Sequence, residues 1–537
     1  MVEQTHPGSA GYVTPARTPV PILTIEERDA RFRGRLLVVF VACLFVPGVF
    51  SIAGSQLSPY RVVLLAIFPW LLWRWLTTRP CLVDFLVLAS AGWTVLALVK
   101  SHGLGIGPRA VISFVELFGG YLVGRILITD AREFKRYFVV LGLGFAVIAP
   151  FALLEMATGF NTFRTIFGLV FGIPARQHNL GLRLGLVRAQ GTLEHPILWG
   201  LVASLGVANG FYIWRRNLVK AFGASGFFAF MVGTSLSSGP LLGVLAQICL
   251  MAWDRLFFFM RFRWVVLGFL ALFALLLLKI LAQFHLLDFV LGNLTFSKTS
   301  ADGRLVVLDY GMMEVTRHPV FGIGLNDWTR PWYRAGKASF DNFWLLEAMR
   351  YGIPTFAFLA LAWAASMLRI ATQRTLSPEE QDYRRGYLIA LSGLTIVLGT
   401  VYIWNATCIF VWIYLGAGAW FYMSKAPQET RDAATLARRA AQGRGGAPGA
   451  PPGAPSRAPS RAPSGAPSGT GGQGAAGRSA DGRSADGRDT AGRDTGGGRA
   501  AAPARPDPRA RAGAPAAIRG TGGARRRRDG TTEGVPG

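Results

Sequence analysis

Runs of apolar residues recur between residues 36 and 423 and are separated by short polar segments. Each run has about 20 residues, which is long enough for a helix to cross a hydrocarbon core of about 30 Å. We therefore expect an all-α fold, a polytopic integral membrane protein. The pattern predicts twelve membrane-spanning helices, at residues 36–53, 61–78, 81–99, 109–128, 137–156, 193–214, 219–236, 239–254, 264–283, 345–368, 386–403 and 407–423.

The two ends of the chain differ in composition from the transmembrane domain predicted over residues 36–424. Residues 1–35 are polar and end in a cluster of arginines. Residues 425–537 consist largely of Ala, Gly, Pro, Ser and Arg, with imperfect repeats such as APSRAPSRAPSG. Because this segment lacks the apolar residues that could offset the entropy of ordering a chain, we expect it to be a disordered tail.

The basic residues outnumber the acidic ones, 56 to 30, and give a formal net charge of +26. Most of them lie in the tail or in alternate short loops between the apolar runs, whereas opposite loops such as SSGP and WNAT carry few. Basic loops mark the cytoplasmic side of a membrane protein, so we expect both termini in the cytoplasm. The charge therefore indicates orientation in the membrane, and we expect no nucleic acid as a partner.

Two longer connections, residues 157–192 and 284–344, carry arginines although the pattern places them on the non-cytoplasmic side. The first contains Arg164, Arg176, Arg183 and Arg188. These connections could be too long for the charge rule to apply. Alternatively, their arginines could bind an anionic substrate on that side of the membrane.

Four phrases stand out in and beside these connections: VRAQGTLEHPILWG (187–200), ADGR (301–304), HPVFGIGLNDW (318–328) and DNFWLLEAMRYGIP (341–354). In order and spacing they resemble the O-antigen ligases and polysaccharide polymerases of bacterial envelopes. The residues of this chain that resemble the family pattern are Arg188, Gly303-Arg304, Pro319 to Gly324, Asp341-Asn342, Glu347 and Gly352-Ile353. Ligases typically carry His where this chain has Asp341, which favours a polymerase without excluding a ligase.

The resemblance implies a multi-pass glycosyltransferase of the bacterial inner membrane, in exopolysaccharide or O-antigen biosynthesis. It would transfer a glycan from an undecaprenyl diphosphate carrier to a sugar hydroxyl on the periplasmic face. The connections 157–192 and 284–344 would then be periplasmic loops, and the longer one would be the family's large loop. The implied partners are the lipid-linked oligosaccharide, membrane lipid, and a flippase and chain-length regulator of the same pathway.

The leaving group of this reaction is a diphosphate, and guanidinium groups donate paired hydrogen bonds to phosphate oxygens. Arg304 and Arg188 are the main candidates for this role, with Arg183 and Arg330 as further candidates for binding substrate. Each could instead be a solvated surface charge.

Asp341 is the candidate general base for the attacking hydroxyl. It could equally cap the following helix, because Asp before an apolar run is a good capping signal. Glu347 lies inside the apolar run, where an ionisable side chain indicates function. A structural ion pair with Arg350, three residues on, is the alternative for Glu347.

Several neutral side chains complete the candidate substrate site. His195 and His318 could bond a sugar or, more simply, a loop carbonyl. Trp328, Trp332 and Tyr333 could stack on sugar rings or anchor the chain at the membrane interface. The four cysteines lie inside apolar runs, and no grouping has metal-ligand spacing, so we expect neither a metal nor a cofactor.

The main alternative function is transport of a polyprenyl-linked glycan or another anionic solute. A transporter would show sequence repeats and charged residues within several spans. The sequence pattern indicates neither, since the charges concentrate in the two long connections. A structural assembly factor that recruits partners through its tail is a third hypothesis.

Overall fold

The computed structural model describes residues 24–48, 50–52, 55–171, 182–281, 298–331 and 340–423. In this part of the chain the regular structure is helical apart from one antiparallel hairpin, β1 (Phe50–Ile52) and β2 (Ser55–Leu57), in which Phe50 lies opposite Leu57. The tail predicted over residues 425–537 lies outside the described residues.

The helices, in chain order, are α1 (Ile25–Leu44), α2 (Pro59–Thr77), α3 (Leu82–His102), a 3₁₀ turn (Leu104–Ile106), α4 (Gly107–Phe114), a π turn (Val115–Gly119), α5 (Gly120–Leu127), α6 (Ala131–Thr158), α7 (Thr162–Phe171), α8 (Pro196–Ile213), α9 (Leu218–Thr234), α10 (Ser238–Leu256), α11 (Arg263–Leu281), α12 (Lys298–Arg317), α13 (Phe343–Tyr351), α14 (Ile353–Thr372), α15 (Pro378–Leu398), α16 (Ala406–Ala417) and α17 (Trp420–Met423).

Six of the described helical segments are both long and apolar enough to cross a membrane: Leu82–His102, Leu104–Leu127, Ala131–Thr158, Pro196–Ile213, Ile353–Thr372 and Ala406–Met423. Large apolar side chains also point outward from the bundle, as Leu143 and Val147 do on α6 and Phe269 does on α11. Such surfaces suit lipid rather than water. The prediction of a helical membrane protein is confirmed, while the count of twelve spans stays a prediction.

The centre of the bundle is α8, which is buried along almost its whole length and packs against α9 and α15. Helices α5 and α16 cross very closely because glycines face each other there. A Cβ on Gly124 would lie 2.0 Å from the carbonyl oxygen of Ile413, and one on Gly416 would lie 2.0 Å from that of Tyr121. Small residues at a crossing let two helix backbones approach in this way.

Charged side chains are also buried inside the bundle. Asp84 and Arg125 lie in the terminal turns of their helices, so the expectation that charges do not lie near the midplane of several spans stays a prediction. Arg125 on α5 pairs with the fully buried Asp84 on α3, at 3.3 Å between Nε and Oδ1. Arg61 at the start of α2 pairs with Glu116 in the π turn, at 2.7 Å. Each charge has a partner of opposite sign, as burial in an apolar surrounding requires.

Several predicted boundaries are corrected. Helix α1 begins at Ile25, inside the segment taken as a polar N-terminus, because Thr24 and Glu27 form a capping box. The connection 284–344 contains the 20-residue helix α12, so the ADGR phrase is helical. The predicted span at 345–368 is divided by Gly352, at a φ of 88°, into α13 and α14.

Candidate functional site

A cavity of about 550 Å³ lies at the end of the bundle where α8, α10 and α13 begin. Five of the nine residues predicted for the site lie in its wall, although they come from three separate stretches of chain. The cavity is lined by Arg183, Arg188, His195, Ile197, Ser237, Ser238, Gly239, Arg304, Phe340, Asp341, Leu346, Arg350, Val401, Tyr402 and Trp404.

Arg188 is the most firmly held of the cavity arginines, with only 6% of its surface exposed. Its Nη2 donates to the Ser237 hydroxyl at 2.7 Å, and its Nε donates to the Ser235 carbonyl at 3.3 Å. Both acceptors lie in the turn that joins α9 to α10. This turn therefore fixes the direction in which the guanidinium points.

The chain segment that carries Arg188 is anchored by a buried carboxylate on α6. Glu155 accepts hydrogen bonds from the backbone N–H groups of Gln190 and Gly191, at 3.2 and 3.0 Å. Gly191 has a φ of 57° and packs on Trp199, where a Cβ would lie 2.6 Å from the ring. A glycine is needed here for both reasons. Sequence reasoning missed Glu155, although an ionisable residue inside a predicted span was a usable signal.

Arg304 and Arg183 complete the cationic side of the cavity. Arg304 lies on α12, and its Nε is buried with no hydrogen-bond partner among the described residues. Arg183 donates from Nη1 to the Leu236 carbonyl, at 2.7 Å. Both residues, which the sequence singled out, line the same cavity as Arg188, and their role in binding substrate stays a prediction.

Asp341 lies just before α13 and faces the arginines. The residue that caps this helix is Asn342, whose side chain accepts the backbone N–H of Leu345 at 3.1 Å. The capping role considered for Asp341 is therefore wrong. The Asp341 carboxylate instead acts electrostatically on Arg188 and Arg304, and tends to raise the pKa of each guanidinium.

The cavity is strongly positive, because four guanidinium groups face one carboxylate. Burial lowers the pKa of Arg188 to about 10, and the neighbouring Arg183 lowers it as well. Arg188 still carries its charge at neutral pH, because this pKa is far above 7. The first residues of α10, Ser238 and Gly239, also line the cavity. The unpaired N–H groups of a helix N-terminus add to the preference for an anion.

His195 caps α8, with its Nδ1 accepting the backbone N–H of Ile197 at 3.2 Å. The sequence predicted that the ring would donate to a loop carbonyl. At Nδ1 the ring instead accepts a hydrogen bond from a backbone N–H. In a neutral imidazole the proton must then lie on Nε2. The ring packs against Trp404 in the cavity wall, at 6.1 Å between centroids.

Glu347 and Arg350 do not form the predicted ion pair within the described part of the chain. Arg350 points into the cavity wall, donates from Nη1 to the Tyr402 hydroxyl at 3.3 Å, and lies 5.6 Å from the centre of that ring. Glu347 is half-buried and is absent from the cavity lining. Arg350 is therefore the better functional candidate of the two.

Besides Glu347, three predicted site residues lie outside the cavity lining. His318 is exposed at the end of α12. Trp328 is buried against Phe340, at 5.3 Å between ring centroids, and Arg330 lies over Trp328 while pairing with Asp327. They were predicted for the site because their side chains could bind phosphate or sugar and they lie in or beside the motif segments. Arg176, Trp332 and Tyr333 lie outside the described residues.

The segments HPVFGIG (318–324) and MRYGIP (349–354) are joined by backbone hydrogen bonds. The N–H groups of Ile323 and Gly324 donate to the carbonyls of Met349 and Arg350, at 2.9 and 2.8 Å. Gly322, Gly324 and Gly352 all have positive φ, and a Cβ on Gly352 would lie 2.0 Å from the Val320 carbonyl oxygen. These motif residues therefore shape the chain around α13 and hold Asp341 and Arg350 in place.

The cavity residues that sequence reasoning missed include Ser237, Tyr402 and Trp404, and Arg350 was considered only as an ion-pair partner of Glu347. Ser237 and Trp404 belong to SSGP and WNAT, which attract attention only for their lack of charge. Among the described residues no three His, Cys, Asp or Glu side chains are grouped as metal ligands. Catalysis without a metal stays a prediction.

Neither the family models nor the curated proteins with which the sequence was compared match this chain.

Proposed function

We propose that this protein is a membrane glycosyltransferase that moves a glycan from a polyprenyl diphosphate to a sugar hydroxyl. The observation that carries the proposal is the convergence of Arg183, Arg188, Arg304 and Asp341 on one cavity. A diphosphate needs several fixed cations, and a hydroxyl nucleophile needs a base. The cavity contains both kinds of group within one wall.

In the proposed reaction the diphosphate oxygens bind between Arg188 and Arg304. The acceptor hydroxyl oxygen attacks the anomeric carbon of the donor sugar and forms the new glycosidic bond. The bond from that carbon to the phosphate oxygen breaks, and its electron pair leaves with the diphosphate. Asp341 takes the hydroxyl proton. Cations already aimed at the oxygen where charge grows would lower the barrier without having to reorganise.

A reconstituted assay tests this proposal directly. The full-length protein in lipid nanodiscs, given undecaprenyl diphosphate linked to a labelled oligosaccharide, should release undecaprenyl diphosphate and produce longer glycans. Release without elongation, but with transfer to lipid A-core when that acceptor is added, would identify a ligase rather than a polymerase. Absence of both products with donors of several repeat structures would contradict the proposal.

Transport of a lipid-linked glycan is the second candidate, and Glu116, which lies near the middle of the segment Leu104–Leu127 and pairs with Arg61, favours it. Both functions would use the cationic cavity to hold a diphosphate. The same nanodisc experiment separates them, because a transporter forms no glycosidic bond. Intact donor after long incubation, together with donor movement across the bilayer of proteoliposomes, would favour transport.

The proposed chemistry also predicts the topology of a bacterial inner-membrane protein with twelve spans and cytoplasmic termini. Cavity residues lie in the connections that precede α8, α10 and α16, and also on α12 and at α13, and all of them would be on the periplasmic side. In a variant without native cysteines, Leu169→Cys and Asp309→Cys should react with an impermeant maleimide in intact cells. Arg216→Cys and Arg374→Cys should react only after lysis. The reverse pattern would contradict a periplasmic reaction.

A further inference from the structure

A second cavity, of about 240 Å³, lies beside the first and is lined by polar side chains that the reaction above does not use. They include Ser58, Arg61, Thr192, Glu194 and Asn405. The volume suits a single sugar ring rather than a lipid chain.

The two cavities share a wall that is made of two short backbone segments. His195 and Trp404 line the first cavity, whereas their neighbours in sequence, Glu194 and Asn405, line the second. The rings of His195 and Trp404 pack together, and Asn405 donates from Nδ2 to Glu194 Oε1 at 3.1 Å. A ligand in the second cavity would therefore lie directly beside one in the first.

A chain of hydrogen bonds fixes the polar groups of the second cavity. Arg61 donates from Nε to Glu116 at 2.7 Å and from Nη2 to Asn405 Oδ1 at 3.1 Å. Tyr60 donates from its hydroxyl to the same Glu116 oxygen at 2.9 Å. Asn405 in turn donates to Glu194, so its amide bridges a guanidinium and a carboxylate.

Glu194 retains one oxygen that this chain of bonds leaves unsatisfied. Its Oε2 is buried and has no hydrogen-bond partner in the described part of the protein. Burial raises the pKa of the carboxyl, while the residue's own backbone N–H, and after it Arg164, Asn405 and Arg61, lower it. A buried acceptor without a partner is costly, and a ligand hydroxyl is a donor that could satisfy it.

The backbone of Asn405 adds a second indication of a built site. Its φ is 50° and its ψ is −132°, a conformation outside the αL region that residues other than glycine rarely adopt. This conformation directs its amide toward Glu194 and Arg61 just before α16 begins. Strained residues held by their surroundings concentrate where a ligand binds.

The charges of the two cavities differ in kind. In the second cavity the guanidinium groups of Arg61 and Arg164 are matched by the carboxylates of Glu194 and, behind Arg61, Glu116. The first cavity has four guanidinium groups against one carboxylate. An anion is therefore directed to the first cavity, and the second suits a neutral ligand with many hydroxyl groups.

We propose that the second cavity binds an uncharged sugar residue, with Glu194 Oε2 accepting one of its hydroxyl groups and Asn405 positioning Glu194. Resting on the proposed function, this sugar is the acceptor, held beside the diphosphate-binding cavity. Sugar binding itself does not depend on the transfer reaction, so the two proposals can fail separately.

Binding measurements on the full-length protein in nanodiscs test this assignment. The probes are neutral methyl glycosides with gluco, galacto, manno and rhamno configuration, each followed by saturation-transfer NMR, and inorganic pyrophosphate for the first cavity. Glu194→Gln should weaken binding of the preferred glycoside about tenfold or more, because a hydrogen bond to a charged group is lost. Pyrophosphate binding should not change.

Two further variants and one control complete the test. Asn405→Gly removes the side-chain amide but allows the positive φ, and it should weaken glycoside binding to a similar extent. Arg304→Ala should show the opposite pattern, with weaker pyrophosphate binding and unchanged glycoside binding. Glu26→Gln, a matched change at an exposed residue of α1, should alter neither.

The proposal is overturned if no neutral glycoside binds the wild-type protein while pyrophosphate does. It is also overturned if glycoside binding survives both Glu194→Gln and Asn405→Gly, or if a methyl uronoside binds more tightly than every neutral glycoside. Glycoside binding that follows the expected pattern without any glycan transfer would support the sugar site and count against the proposed reaction instead.

Discussion

Replacing Arg304 by lysine should lower the rate of glycan transfer on the order of 10²-fold or more, nearly as far as replacement by alanine, by analogy with removing one oxyanion donor. Lysine keeps the positive charge but loses the planar fork that donates two hydrogen bonds to a phosphate oxygen pair. The buried Nε of Arg304 has no partner among the described residues, so a donor is available for the substrate. Initial rates in the nanodisc assay measure the effect.

Arg317 provides the matched control for this prediction. It lies on the same helix, its side chain is 53% exposed, and it is absent from the cavity lining. Arg317→Lys and Arg317→Ala should leave the rate within about twofold, as expected of a surface position. If Arg304→Lys retained wild-type activity while Arg304→Ala lost it, Arg304 would act as a point charge and the bidentate contact would be refuted.

Asp341→Asn should reduce the rate by about 10²- to 10⁴-fold, the usual contribution of a general base. Asparagine keeps the shape of the side chain but cannot take a proton. Helix capping is not disturbed, because Asn342 is the cap of α13. The abundance of the protein in the membrane should therefore stay close to wild type, which immunoblotting of membrane fractions measures alongside the transfer assay.

Asp309→Asn makes the same chemical change on an exposed position of α12 and should leave the rate unchanged. Pyrophosphate binding distinguishes the two roles open to Asp341. If Asp341→Asn binds pyrophosphate normally but does not transfer glycan, the carboxylate acts as the base. Full activity of Asp341→Asn would refute Asp341 as the base and direct the search to Glu194 in the adjoining second cavity, since His318 and Glu347 line neither cavity.

The helical membrane architecture could be predicted because apolar runs of this length have few other folds available to them. Arg188, Arg304 and Asp341 could be singled out because they fall in phrases that resemble a family pattern, and all three line one cavity. Their proximity in the fold could not be predicted from their spacing in the sequence. Arg188 and Arg304 are more than a hundred residues apart in sequence, and they come together only because the segment before α8 and the helix α12 line one cavity in the folded chain.

The capping of α13 shows where local sequence patterns become ambiguous. Asp341 and Asn342 are adjacent and both are good capping residues, so the choice depends on where the helix begins. The presence of Ser237 and Trp404 in the cavity was hidden for a different reason. Small or aromatic residues are common at the end of an apolar run. Their presence there does not show whether they line a cavity or belong to an ordinary connection between helices.

The π turn at Val115–Gly119 makes the length of the chain at this point as important as its composition. One extra residue distinguishes such a turn from an α-helical one. A chain with one residue fewer here would continue as a plain α-helix, and α5 would turn by about 100° relative to α4. Gly124 would then no longer face the Ile413 carbonyl at the close crossing with α16. A single-codon deletion in this turn should therefore be far less tolerable in evolution than most substitutions within it.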